Sequence, residues 1–301
     1  MKREGFSGEC AVKLPAEGVK KEEMRLFPEK LDAMRFSFLD RDLQILAFKE
    51  MKIHWTYGST GIEGNTMSLG DTAFLIQEGL TVAGKSLKEH NEVVGHARGV
   101  DLLEDLARKR CVEKEDLFCL HRAVQTNVVR DTFSPLGAFK VEPNGCYVRH
   151  DDGTWDFHTY PAPEKVPFLM EVWMNMLNAF LGKKETPSLD SLVLQQAKCH
   201  IGFVSIHPFA DGNGRMARLF ANLPLVAQGI IPILIFREDR KRYIDLLAAY
   251  QEETKEPGIS SLVPENDALE AFTGFLWDSL RKSWEIMAPL FALQEERNRK
   301  R

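Results

Sequence analysis

His207, Asp211, Arg215 and Arg218 fall within one short stretch, His207-Pro-Phe-Ala-Asp-Gly-Asn-Gly-Arg-Met-Ala-Arg218. An imidazole exchanges a proton near neutral pH, and a carboxylate holds a hard cation such as Mg²⁺. Gly212 and Gly214 flank Asn213 and remove side chains where a backbone must meet a ligand, so their N–H groups can ring an anion. Arg215 and Arg218 share one face of a helix that begins near Gly214, and stand at its positive end. A polyphosphate with its metal suits this set. Each part alone has a plainer use. A histidine beside an apolar run packs in a core, Asp-Gly-Asn-Gly turns a chain, and paired arginines bind surface carboxylates. Only the joint order singles the stretch out.

That order, His207-x-Phe209-x-Asp211-Gly212-Asn213-Gly214-Arg215-x-x-Arg218, resembles the full signature of the Fic (Fido) family. Its members mostly transfer AMP from ATP to hydroxyl side chains of target proteins. The resemblance implies an all-α fold, a Fic-type helical bundle with one β-hairpin flap. It implies a protein adenylyltransferase, a nucleotidyltransferase with ATP as substrate. His207 would be the catalytic base and Asp211 the ligand of Mg²⁺ or Mn²⁺. Gly212, Asn213, Gly214, Arg215 and Arg218 would bind the nucleotide.

A second stretch, Ser59-Thr-Gly-Ile-Glu63-Gly64-Asn65, reads by itself as a glycine-broken loop or helix end with one solvated acid. Beside the signature it resembles the family's inhibitory motif, with Ser59, Glu63 and Gly64 on the motif positions. Glu63 would then pair with Arg218 within one polypeptide. A carboxylate there competes for the bidentate fork that the terminal phosphate of ATP needs. Further resemblance is thinner. His158 would line the nucleotide pocket, and Tyr243 either lines it or is a buried tyrosine. Gln251 stands where relatives often carry an asparagine, which leaves base and ribose contacts open. The segment near 140–160 corresponds to the flap that would seat a protein target. Three other functions stay open: AMP removal with Glu63 positioning water, phosphoryl transfer, and a non-catalytic binding module. Phosphoryl transfer belongs to a branch with Lys in place of Gly214.

The elements that must position these residues are mostly helical. Apolar periodicity predicts one or two helices from Pro28 to about Tyr57, and helices over 86–108, 114–129, 166–181 and 188–206. Ser68-Leu-Gly-Asp71 predicts a capping box opening a helix that ends near Gly79. His121 reads as a packed core histidine, and Cys199-His200 as buried. A helix from Gly214 to Gly229 would be kinked by Pro224. Another runs from Asp239 to about Glu253, and a last one over 265–290, with a frayed charged tail after it. The β-like region lies between Lys140 and Tyr160, around the turn signal Asp151-Asp152-Gly153. The expected division is a loosely ordered arm at 1–30 and a helical region at 31–115 with the inhibitory motif at 59–65. The Fic core with its signature at 207–218 spans 116–255, and the C-terminal helix and tail 256–301.

Composition sets the frame. The chain has 301 residues, 44% hydrophobic and 28% charged, with a net charge of −5. That balance suits a globular protein and argues against nucleic acid as a partner, since phosphate backbones select a basic face. No 18-residue apolar run predicts a membrane span. Met1-Lys-Arg-Glu-Gly lacks the apolar core of a signal peptide. Cysteines 10, 111, 119, 146 and 199 form no C-x-x-C pair, which predicts reduced thiols and a cytoplasmic protein. The predicted partners are ATP and a protein target, with no nucleic acid and no membrane. A homodimer is allowed.

Overall fold

The computed structural model describes residues 27, 31–125, 135–149, 154–183, 187–254 and 261–301. The expected arm, the Asp151-Asp152-Gly153 turn and the predicted end of the 114–129 helix lie outside these, apart from Phe27. Ten α-helices and one hairpin carry the described chain: α1 Arg41–Ile62, α2 Leu69–Glu78, α3 Leu87–Lys109, α4 Lys114–Val124, β1 Gly145–Arg149, β2 Trp155–Thr159, α5 Val166–Leu181, α6 Leu189–Ile206, α7 Asn213–Phe220, α8 Leu223–Ala227, α9 Arg240–Thr254 and α10 Asp267–Lys300. The fold is all-α with one two-stranded antiparallel sheet, in which Gly145 pairs with Thr159 and Arg149 with Trp155.

The helix α6 is apolar nearly all round and lies in the middle, packed against α5, α7, α8 and α10. Trp173 of α5 closes over it. The indole Nε1–H donates to the Cys199 carbonyl at 2.9 Å, and its ring meets Phe203 and Phe220 edge-on. Cys199 and His200 are both fully buried. The capping box of α2 forms in both directions: Asp71 N–H donates to Ser68 Oγ, and Ser68 N–H donates to Asp71 Oδ2. Gly79 ends that helix in the left-handed conformation.

Three expectations change. First, α1 continues past Tyr57 to Ile62, so the stretch from Ser59 forms the last turn of a long helix and Glu63 is its C-cap. Gly58 and Gly61 do not break the helix. They let it lie against the 235–237 segment, where a Cβ on Gly58 would sit 2.6 Å from the Ile235 carbonyl oxygen. Second, Pro224 kinks nothing. The chain ends α7 at Phe220 and restarts at Leu223, which puts Pro224 in the first turn of α8, where its missing N–H has no helical partner to lose. Third, the tail is not frayed. The helix α10 runs to Lys300 because its end returns to the start of α1. Gln294 is buried and accepts from Asp40 N–H at 2.7 Å, Arg297 forks onto Asp42 at 2.9 and 2.8 Å, and Arg301 reaches Asp40.

Between α7 and α8, Asn222 is fully buried. Its amide donates to the carbonyls of Arg218 and Ile233, and its Oδ1 accepts from Ile233 N–H at 2.7 Å. One side chain thus joins the arginine-bearing helix to the strand-like connector behind it. Replacing Asn222 with Leu leaves three buried backbone groups unpaired, and urea unfolding should show a loss of about 3 kcal/mol. A loss under about 1 kcal/mol would mean that these groups find other partners.

Candidate active site

The loop between α6 and α7 is held from behind before it offers anything to a ligand. His207 caps α6 in the left-handed region, φ 51°, an uncommon conformation for a non-glycine residue. Phe209, Asp211 and Asn213 then fold the loop on itself. The Asn213 amide donates to the Phe209 carbonyl at 2.7 Å, and its Oδ1 accepts from Phe209 N–H at 2.9 Å. The Asn213 side chain is therefore spent on the loop, and only its backbone faces outward. His121 of α4 stacks on Phe209, centroids 3.9 Å apart, and lies 3.1 Å from the Asp211 carbonyl oxygen through Nε2. Its Nδ1 accepts from Gly137 N–H at 3.0 Å, which fixes the tautomer with the proton on Nε2. Burial lowers the His121 pKa to about 4, so the ring stays neutral. His121 is buried, as its apolar helix face indicated. Its work as a loop anchor carried no signal in the sequence, because the partner lies ninety residues away.

Gly212 caps α7 in the left-handed conformation, φ 80°. The Asp211 carboxylate points outward with its side chain 75% exposed, accepts from Gly212 N–H at 2.6 Å, and lies 3.7 Å from Arg215. The Arg215 side chain is buried, and its Nε has no hydrogen-bond partner among the described residues. His207 is partly buried, with its Nδ1 out of contact with solvent. Burial, then the nearby Lys140 charge, lowers its pKa to about 3, so at neutral pH it holds a free lone pair. The ring of Tyr160 lies flat against it.

Arg218 is 3% exposed and fully engaged. Its Nε donates to Ser59 Oγ at 2.9 Å, and its Nη2 to the Ser59 carbonyl at 2.9 Å and to Glu63 Oε1 at 2.5 Å. Ser59, Glu63 and Arg218 therefore meet across 155 residues or more of sequence. The Glu63 carboxylate also lies on Gly214. A Cβ there would be 2.5 Å from Glu63 Oε1 and 3.0 Å from Arg218 Nη1. An anion thus already fills the gap between the glycine and the arginine. Gly64, φ 98°, turns the chain out of α1, and Asn65 fastens the connection toward α2 onto α3, through the Glu89 carbonyl and the Glu92 carboxylate.

The three outlying candidates are placed differently from one another. His158 lies in β2 opposite Cys146 and meets Tyr160 edge-on at 5.1 Å. Tyr243 is 1% exposed and faces the core, where Arg218 Nη1 donates to its hydroxyl at 3.4 Å and His200 Nε2 lies 2.8 Å away. It holds the arginine from behind. Gln251 is buried and faces the Tyr160 hydroxyl.

With the geometry in view, comparison with known proteins gives a consistent result. Residues 111–225 match the model of the Fic/DOC family. Over 241 residues the chain is 33% identical to a protein adenylyltransferase Fic of Aedes aegypti, covering 74% of this chain and 44% of that protein. A protein of the same name from Culex quinquefasciatus is 32% identical over 282 residues, covering 89% and 52%. The chain thus spans about half the length of the curated relatives it matches. Among solved structures, a Fic domain containing signaling protein from Bacteroides thetaiotaomicron superposes with a TM-score of 0.71 at 27% identity, over 86% of this chain and 95% of that one. The chain belongs to the Fic/DOC family.

The Glu63–Arg218 pair has a testable pH signature. Burial pushes the Glu63 carboxyl up, but the charge and hydrogen bond of Arg218 outweigh it and hold the pKa below its ordinary 4.5. A depressed carboxyl stabilises the folded protein above its unfolded pKa, and that contribution fades as pH falls through the folded value. Melting temperature should therefore drop more steeply below pH 4.5 in the wild type than in Glu63→Gln, which has no such group to protonate. Parallel curves for the two proteins would show that the pair does not titrate with folding.

Proposed function

We propose that this chain is a protein adenylyltransferase held inactive by its own Glu63. The observation that carries the reading is the carboxylate seated between Gly214 and Arg218, in a site built for a phosphate. ATP would bind with its phosphates over the α7 N-terminus, Arg215 and Arg218. While Glu63 keeps Arg218, the terminal phosphate has no fork to enter, and the α-phosphorus is not presented to the attacking hydroxyl. When Glu63 withdraws, His207 takes the proton of a Ser, Thr or Tyr hydroxyl. The freed oxygen bonds to the α-phosphorus, and pyrophosphate leaves with the electron pair of the broken bond. Positioning and fixed charge do most of the work.

Asp211 suits a Mg²⁺ or Mn²⁺ that arrives with the nucleotide. Its carboxylate is exposed, and the described residues hold no cluster of three ligating groups that would form an all-protein cage. Such an ion would neutralise phosphate charge. The hairpin suits a peptide target. Tyr147 and Phe157 pair across its exposed face at 5.1 Å, and a strand added to its edge would carry its hydroxyl toward His207. In this reading 31–115 is the regulatory part and 116–255 the catalytic one. AMP removal remains a second reading, because the same Glu63 carboxylate faces the reaction site. There Glu63→Gly would lose the ability to clear a modified target, as followed by intact mass.

Auto-modification with labelled ATP tests the first reading. Glu63→Gly should label strongly where the wild type stays nearly silent. His207→Ala in that background should abolish label, and Asp211→Ala should remove its dependence on Mg²⁺. Arg218→Ala frees Glu63 but removes the phosphate ligand, so it should stay dark alone and with Glu63→Gly. Equal labelling of wild type and Glu63→Gly would remove Glu63 as the inhibitor.

A further inference from the structure

Tyr160 is the first residue after β2, and its ring lies flat on that of His207. The centroids are 3.8 Å apart and the planes differ by 9°. Tyr160 is itself held on several sides. His158 of β2 meets it edge-on at 5.1 Å, and the Lys140 ammonium lies 5.9 Å from its centroid. Its hydroxyl lies 3.3 Å from Cys146 Sγ of β1, and Gln251 of α9 faces the same oxygen. The tyrosine is thus fixed to both strands of the hairpin and to the bundle. Only 6% of it is exposed.

His207 has far less of its own. Its Nδ1 is buried and has no hydrogen-bond partner among the described residues. Among the described residues no carboxylate is hydrogen-bonded to the ring. Yet a general base must hold its lone pair within hydrogen-bond reach of the incoming hydroxyl, and side chains in such roles are normally locked by packing and partners. The flat contact supplies that lock. It leaves the ring free to slide a little in its plane and forbids it to tip.

We propose that Tyr160 is a positioning residue for His207: its ring sets the plane of the imidazole and ties that plane to the hairpin on which a target would dock. This rests on His207 being the base, and the test reads the two separately. A tyrosine that merely filled the core would alter stability and nucleotide affinity together, and would leave the chemical step alone once ATP was bound.

The experiment uses the Glu63→Gly protein with Tyr160→Phe, Tyr160→Leu and Tyr160→Met added singly. The first readout is the ring C–H resonance of His207 in histidine-labelled protein, assigned by its loss in His207→Ala. A stacked ring displaces that resonance upfield, so it should hold in Tyr160→Phe and move downfield in the Leu and Met variants. The second is the single-turnover rate of auto-modification at saturating ATP, alongside the ATP dissociation constant from calorimetry. Tyr160→Leu should lose about tenfold or more in rate with its ATP affinity within about twofold of the parent, and Tyr160→Phe should restore most of the rate. Tyr160→Met guards against a Leu variant that fails to fold. An unmoved His207 resonance, an unchanged rate in the folded ringless variants, or a rate loss matched by lost ATP affinity would each overturn the proposal. Label transfer by His207→Ala would remove the base assignment, and the positioning role with it, whatever the resonance shows.

Discussion

Arg218 is a permanent charge taken almost wholly out of water, and much of the molecule is arranged around that fact. A buried guanidinium is tolerable only when its donors are met and its charge is balanced. Ser59 meets two donors with its hydroxyl and its carbonyl, Glu63 supplies the charge, and Tyr243 takes the remaining contact. The chemistry sets the proton order. Arg218 can only donate, so the Tyr243 hydroxyl accepts from it and passes its own proton toward His200 Nε2, a histidine whose pKa burial lowers to about 3. His96, buried behind the arginines, is likewise kept neutral by burial and by their charge. Among the described residues, the anion paired with Arg218 comes from the end of α1. A nucleotide phosphate could supply the same charge. In the proposed reading, that exchangeability suits the contact to regulation.

The rest of the site is fastened by side chains of the surrounding helices. Asn213 closes the loop, His121 pins its far side, and Asn222 fastens the arginine-bearing helix to the connector behind it. Each does so with a buried side-chain hydrogen bond, which is strong where water is absent and expensive to leave unmade. The groups that the proposed reading gives to a ligand are correspondingly few: backbone N–H groups at the start of α7, one exposed carboxylate, one imidazole and two arginines. Around them the aromatic contacts of Phe209, Tyr160 and His121 exclude water without adding charge.

The turn that carries Glu63 is also more firmly placed than a loop would be. It ends a helix of 22 residues, lies on the 235–237 segment through Gly58 and Gly61, and has the Arg240 side chain donating to its last carbonyl, Ile62 O, at 2.7 Å. Arg240 begins α9, the helix that also carries Tyr243 and Gln251.

The types and order of the signature residues were legible in the sequence, because chemistry at a phosphate needs those groups in close succession and the chain supplies them between His207 and Arg218. The helical bundle was legible for a similar reason: apolar residues recur at the helical period, and the capping box at Ser68 marks a start. Contacts that join distant segments were not legible in periodicity. The contact of Glu63 with Arg218 came only through resemblance between motifs, and the inward turn of Tyr243, the burial of Gln251 and the anchoring by His121 had no such guide. A tyrosine at a helical apolar position reads the same whether its hydroxyl meets a ligand or an arginine. The continuation of α10 through its charged tail depended on Asp40 and Asp42, more than two hundred residues upstream. The break before Pro224 depended on Asn222 finding Ile233. Residue order decides which groups exist and where the chain can be regular. Which of them lose water together, and so must satisfy one another, is decided only when the helices pack.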